Sequence, residues 1–89
     1  LSVRDIKIIP LAKKKIAQRK IEEKWVIDTI TSPDQKIDGY GGRFVAQKRL
    51  KMEGKEKLLR VVYEEATSCL LVITAYLTSQ IERYWRKEL

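Results

Sequence analysis

No histidine occurs among the 89 residues. That removes the side chain most often used for proton transfer near neutral pH, and with it every Ser-His-Asp or Cys-His arrangement. Cys69 is the one cysteine. It excludes an internal disulfide and leaves too few ligands for zinc. Because Cys69 lies in an apolar run, a buried structural thiol in a reducing cytoplasm is expected. No apolar stretch approaches the roughly 18 residues needed to cross a bilayer. The opening LSVRDIKIIPLAKKK has no apolar segment of signal-peptide length, and its basic residues follow the apolar ones. Neither export nor membrane contact is expected.

Positive charge is what the chain has in excess. Nineteen Lys and Arg face twelve Asp and Glu, for a net +7, and residues 1–24 carry most of the surplus. Such a field attracts phosphate-rich or acidic partners. A Lys-rich surface that serves only solubility gives the same count. The hydrophobic content of 44 % is ordinary for a folded protein. The length suits one domain with one modest core, spanning residues 1–89.

Apolar residues Val3, Ile6, Ile8 and Ile9 partly alternate and predict a first strand that stops at Pro10. Residues 12–20 are rich in helix formers and hold no Gly or Pro. Residues 21–30 predict a second helix, with Trp25, Val26, Thr29 and Ile30 one turn apart on one face. Glu22 and Glu23 sit at its start, where negative charge is favoured, and Ser32 and Pro33 end it. Residues 33–42 predict a loop with a short strand near Ile37. Gly39-Tyr40-Gly41-Gly42 runs into a strand rather than a helix, so a turn requiring positive φ is expected there, not a phosphate loop. A strand over 43–50 follows, then a charged loop over 51–57 centred on Gly54. In that strand Phe44, Ala46, Lys48 and Leu50 share one face, and Arg43, Val45, Gln47 and Arg49 share the other. Strands over 58–64 and 69–76, joined through residues 64–68, are apolar on both faces and predict the sheet centre. An amphipathic tail ends in Arg83, Tyr84 and Trp85. The order implies an α+β fold: two N-terminal helices on one face of a curved antiparallel sheet of three to five strands, plus a short C-terminal helix. The opposite face is expected to be the open one, with the tail folding near it.

That order, with the segments RKIEEKWVIDTITSPDQKIDGYGG, LLRVVYEE and LLVITAYLTSQIERYW, resembles the small toxins of the RelE/ParE superfamily, closest to the BrnT branch and a related uncharacterised family of small domains. The likeness covers about residues 10 to 85. It implies the toxin of a toxin–antitoxin pair: a metal-independent, cofactor-free endoribonuclease, or a growth-inhibiting relative, neutralised by a cognate antitoxin protein. It places Thr74 and Tyr76 in the segment ending the last strand, Glu82, Arg83 and Tyr84 in the tail motif, and Arg60 at a recurring basic position. Two positions depart from the pattern. Tyr76 stands where an arginine recurs, and Leu11 stands where many relatives have a histidine.

RNA cleavage by 2′-hydroxyl attack needs cations on the phosphate and groups that take and return a proton. Arginine forks suit the first task. Arg49 and Arg60 lie on strands and reach one face if the register allows, and Arg83 comes from the tail. Tyr76, Tyr84 and Lys48 are candidates for proton transfer, since neighbouring cations lower a phenol or ammonium pKa. The expected catalytic set is therefore Arg60, Tyr76 and Arg83, with Lys48, Arg49, Thr74 and Tyr84 on RNA phosphate. The same residues read equally as a solvent-facing charge at Arg60 and as packing at Tyr76, Tyr84 and Trp85. Asp34 and Asp38 read as a solvated loop rather than a magnesium site. Glu64 and Glu65 alternate across a strand end and make no acid/base pair. A non-catalytic basic module of the same fold, holding an acidic protein or nucleic acid, is the alternative.

Overall fold

The computed structural model describes residues 5–87. The first strand, β1, is Asp5–Ile8; Val3, expected within it, lies outside the described residues. Pro10 ends the strand and also opens helix α1, Pro10–Gln18. Its fixed φ and missing N–H cost nothing at the first helical position, which is why the helix starts earlier than residue 12. Ala12 and Ile16 are its buried residues.

The end of α1 has a specific geometry. Lys20 adopts φ 57°. The Lys20 N–H bonds to the Ala17 carbonyl at 3.1 Å, and the Ile21 N–H bonds to the Ile16 carbonyl at 2.8 Å. These are the paired bonds of a Schellman motif, and the usual hydrophobic contact accompanies them. Ile16 and Ile21 both lie in the core cluster. Helix α2, Glu23–Thr31, then buries Val26, Thr29 and Ile30. The Thr29 hydroxyl donates to the Trp25 carbonyl at 2.8 Å, so its burial leaves no polar group unmet.

Four more strands and a short helix complete the chain. They are β2 (Gln35–Asp38), β3 (Phe44–Met52), β4 (Lys55–Glu65), β5 (Cys69–Thr78) and α3 (Ile81–Tyr84). The sheet order is β1-β5-β4-β3-β2. β2 to β5 are antiparallel neighbours, whereas β1 adds to β5 in parallel, Asp5 opposite Cys69. The sheet is thus mixed. Alternation identifies a strand but not the direction of its partner. Strands β3 and β4 extend through the expected charged loop to a two-residue turn. Glu53 and Gly54 both have positive φ there, 51° and 77°, which matches the right-handed twist of a hairpin.

Helices α1 and α2 cover one face. Ala46, Leu59, Val61, Tyr63, Val72 and Ala75 of the sheet meet Ala12, Ile16, Ile21, Val26 and Ile30 in one cluster. Each Leu, Ile or Val so buried stabilises the fold by roughly 1.5–3 kcal/mol. Cys69 is half-buried rather than buried, because it opens β5 opposite the edge strand. Among the described residues no helix is long and apolar enough to cross a membrane.

A register break decides which face two side chains of β5 take. Val62 pairs with Thr74 but Tyr63 pairs with Val72, leaving Ile73 as an extra residue. Strict alternation from Val72 would put Thr74 and Tyr76 under the helices. The bulge turns them to the far face, opposite Val62 and Arg60.

Two outcomes are expected. A left-handed conformation costs a residue with a side chain about 1 kcal/mol more than glycine, so Lys20→Gly should raise the unfolding free energy by roughly 0.5–1 kcal/mol. Denaturant titration reads this directly, and a loss would contradict the Schellman assignment. Alkaline sensitivity is the second. Burial pushes the Tyr63 phenol above its ordinary value of about 10.0. The Glu65 hydrogen bond raises Lys36 above about 10.5. Both groups hold their protons more tightly when folded, so their stabilisation is complete below about pH 10 and declines as pH rises further. Unfolding titrations across that range should show the decline, and Tyr63→Phe should flatten it.

Candidate functional site

The far face carries a row of polar side chains drawn from four adjacent strands. Gln35 of β2 pairs with Gln47 of β3, Gln47 with Arg60 of β4, and Arg60 with Tyr76 of β5. Their side chains are bonded in the same sequence. Gln47 Nε2 donates to Gln35 Oε1 at 3.0 Å. Gln47 Oε1 accepts from Arg60 Nε at 2.7 Å. Arg60 Nη1 donates to the Tyr76 hydroxyl.

The same row holds the C-terminal tail. Gln47 Nε2 also donates to the Tyr84 carbonyl at 3.3 Å. Gln35 Oε1 accepts from the Arg86 N–H at 3.0 Å, and Gln35 Nε2 donates back to the Arg86 carbonyl. Gln35 therefore treats Arg86 as a strand would treat its neighbour. Two stacked cations finish the attachment. The Arg60 guanidinium lies 4.2 Å from the Tyr84 ring centre, and that of Arg49 lies 4.2 Å from the Trp85 ring. So the tail folds onto this face, as expected, but lies across it, and the face is not the open one expected. Beneath and beside it Ile37, Val45 and Leu58 are buried.

Between the tail, the end of β2 and the sheet lies a cavity of about 370 Å³. Four guanidinium groups line it: Arg43, Arg60, Arg83 and Arg86. Asp38 is the lining carboxylate. Arg43 is ion-paired to Glu64 at 2.9 Å. Among the described residues no carboxylate pairs with Arg60. Its plane is set by Gln47, Tyr76 and Tyr84, and its remaining donors face a site rich in like charge. That arrangement suits an anion, because four guanidiniums converging beside one lining carboxylate repel one another and an anion relieves that repulsion.

The expected site residues separate here. Arg60, Arg83 and Tyr84 line the cavity. Tyr76 stands behind Arg60 as its hydrogen-bond partner, edge-on to Tyr84 at 6.5 Å. Arg49 is on the same face but is occupied by Glu56, 3.0 Å away, and by Trp85. The Thr74 hydroxyl accepts from Arg19 at the edge of β5, 3.2 Å away. Lys48 is excluded, because alternation sends it to the helix face, where it pairs with Asp28 at 3.2 Å and the Ser32 carbonyl at 2.9 Å. Asp34 accepts from the Arg49 N–H at 2.8 Å and is likewise engaged. Sequence reasoning misses Gln35, Gln47, Arg43 and Arg86 as site residues. Alternation does place Gln47 with Arg43 on one face, and a glutamine between Val45 and Arg49 in a strand is the available signal.

Gln47 is 0 % exposed, and both ends of its amide are used. Replacing it by leucine, similar in volume but apolar, leaves the Tyr84 carbonyl and Arg60 without their partner. Gln47→Leu should lower the unfolding free energy by about 1–3 kcal/mol. Denaturant titration checks this, and an unchanged midpoint would show that the row carries no stability.

A family model described as a domain of unknown function, DUF4258, matches residues 12–77. No curated protein and no solved structure matches the chain. The matched segment runs from α1 nearly to the end of β5, so it contains Gln35, Gln47, Arg60 and Tyr76 and stops short of Arg83 and Tyr84. With most of its length matched in this way, the chain belongs to the DUF4258 family.

Proposed function

We propose that this chain is the toxin of a toxin–antitoxin pair, gripping RNA phosphate in the arginine cavity and cleaving the strand without a metal. The observation that carries the reading is the convergence of Arg60, Arg83 and Arg86 on one cavity, with Arg60 held rigidly by Gln47 and Tyr76. A guanidinium fixed before the substrate arrives stabilises charge on a phosphorane without reorganising. In this reading the 2′-hydroxyl attacks phosphorus and the 5′-oxygen leaves, giving a cyclic phosphate and a 5′-hydroxyl. Asp38 is the lining carboxylate whose chemistry suits taking the 2′-hydroxyl proton. Arg83 and Arg86 share the phosphate. Tyr76, bonded to Arg60, is the phenol available to return a proton to the leaving oxygen. The cognate antitoxin is an acidic protein that competes for the same guanidiniums.

A second reading has one observation in its favour. The Tyr76 hydroxyl is turned to Arg60 rather than lining the cavity, which fits binding without cleavage. The cavity then holds the phosphate of a nucleic acid or a carboxylate of a protein partner, and affinity falls steeply with salt.

Incubation of the purified chain with RNA in chelator separates the two. The toxin reading expects cleavage that Arg60→Ala reduces by about 10²–10³-fold. Tyr76→Phe should reduce it by about 10-fold or more if the phenol transfers a proton. Salt-sensitive binding with intact RNA selects the second reading. A folded chain that neither binds nor cuts RNA would refute the toxin reading and leave the second reading only its acidic protein partner.

A further inference from the structure

Tyr40 is 96 % exposed, which is extreme for an aromatic residue. Its position is not casual. It lies in the tight turn Tyr40–Gly42 and lines the arginine cavity. The turn is built to hold it there. The Gly39 N–H bonds to the Arg43 carbonyl at 2.7 Å, and the Arg43 N–H bonds back to the Tyr40 carbonyl at 3.4 Å. Gly41 and Gly42 supply φ values of 67° and 78°, which residues with side chains rarely adopt. A Cβ on Gly39 would come within 3.2 Å of the Arg43 carbonyl and of Val45, so the turn is packed directly onto β3. Among the described residues the Tyr40 ring has no ring contact and its hydroxyl no hydrogen bond. An apolar ring is thus presented to water on a braced turn at the rim of a cationic cavity.

A phosphate needs guanidinium groups and has no use for a phenol ring. A nucleotide needs both, because its base offers a flat π-surface a few ångströms from its phosphate. We infer that Tyr40 is the base-stacking platform of this site, and that the site takes unpaired nucleotides, with the phosphate on Arg60, Arg83 and Arg86 and the adjoining base on the Tyr40 ring. This rests on the proposal that the cavity binds RNA, and it adds that the strand must be single. Bases inside a duplex already stack on each other and have no face to offer. Stacking tolerates any base, so the platform gives affinity for single strands without a sequence preference.

The full exposure of Tyr40 makes the test clean, since Tyr40→Ala removes no packing. Affinity is measured by fluorescence anisotropy for three probes: a short 2′-O-methyl single-stranded oligonucleotide that cannot be cut, its duplex, and inorganic polyphosphate of comparable charge. Tyr40→Ala should weaken single-strand binding by about 5- to 100-fold. Duplex and polyphosphate affinities should stay within about twofold, and Tyr40→Trp should retain single-strand affinity. Equal losses for all three probes, or no loss for the single strand, would overturn the platform. If Arg60→Ala abolishes binding while Tyr40→Ala does nothing, the RNA site stands and the platform alone falls. A folded wild-type chain that ignores all three probes removes both.

Discussion

Gln47 sits at full burial in the middle of the sheet, and an unpaired amide there would cost on the order of 1–3 kcal/mol. Its needs organise the far face. The NH2 group faces two acceptors, Gln35 Oε1 and the Tyr84 carbonyl. The amide is not free to turn over, because that would set its oxygen against both. Its carbonyl must then face Arg60, and it accepts from Nε. One constraint thus docks the tail and aims the guanidinium. The β5 bulge completes the row by bringing Tyr76 to the same face, where its hydroxyl accepts from Arg60. The two faces are built differently. The helix face is a continuous apolar cluster, and the far face is a satisfied polar network edged by the guanidinium groups of the cavity.

The parts legible in the sequence are those written in local physics. Pro10 marks a boundary through its fixed φ, α2 shows its buried stripe by period, and Gly54 marks a turn by its conformational freedom. The charged residues 51–57 hide the outer ends of β3 and β4, since a hairpin tip facing water on both sides has no alternation to show. The parallel pairing of β1 with β5 depends on partner and direction, which a period does not encode.

The site divides on the same line. Arg60, Arg83 and Tyr84 can be chosen by chemical type, and they meet at the cavity. Lys48 is an equally good choice by type, but its parity with Phe44 and Ala46 sends it to α2. Gln35 and Gln47 are ordinary surface residues by composition. Only the register that sets Gln35 opposite Gln47, and Gln47 opposite Arg60, makes them central. Arg86 is brought to the cavity by its backbone bonds to Gln35 and by the docking of the tail before it. Long-range pairing decides each of these, and no residue type announces it.

The tail's energetics bear on how the cavity behaves. Helix α3 has four residues, far too few to persist by itself. It contributes no residue to the main apolar cluster. Among the described residues it is attached by hydrogen bonds with Gln35 and Gln47, by the edge-on pairing of Tyr84 with Tyr76, and by two cation–ring contacts worth about 0.5–1 kcal/mol each. Docking is opposed by the charge it brings, since Arg83 and Arg86 are set beside Arg60 with Asp38 as the lining carboxylate. An anion in the cavity removes that opposition. Because binding and docking share the guanidiniums, each must favour the other by the same free energy. If the cavity takes an anion, as proposed, the tail is part of the site in a thermodynamic sense as well as a geometric one: that anion would also hold the tail down.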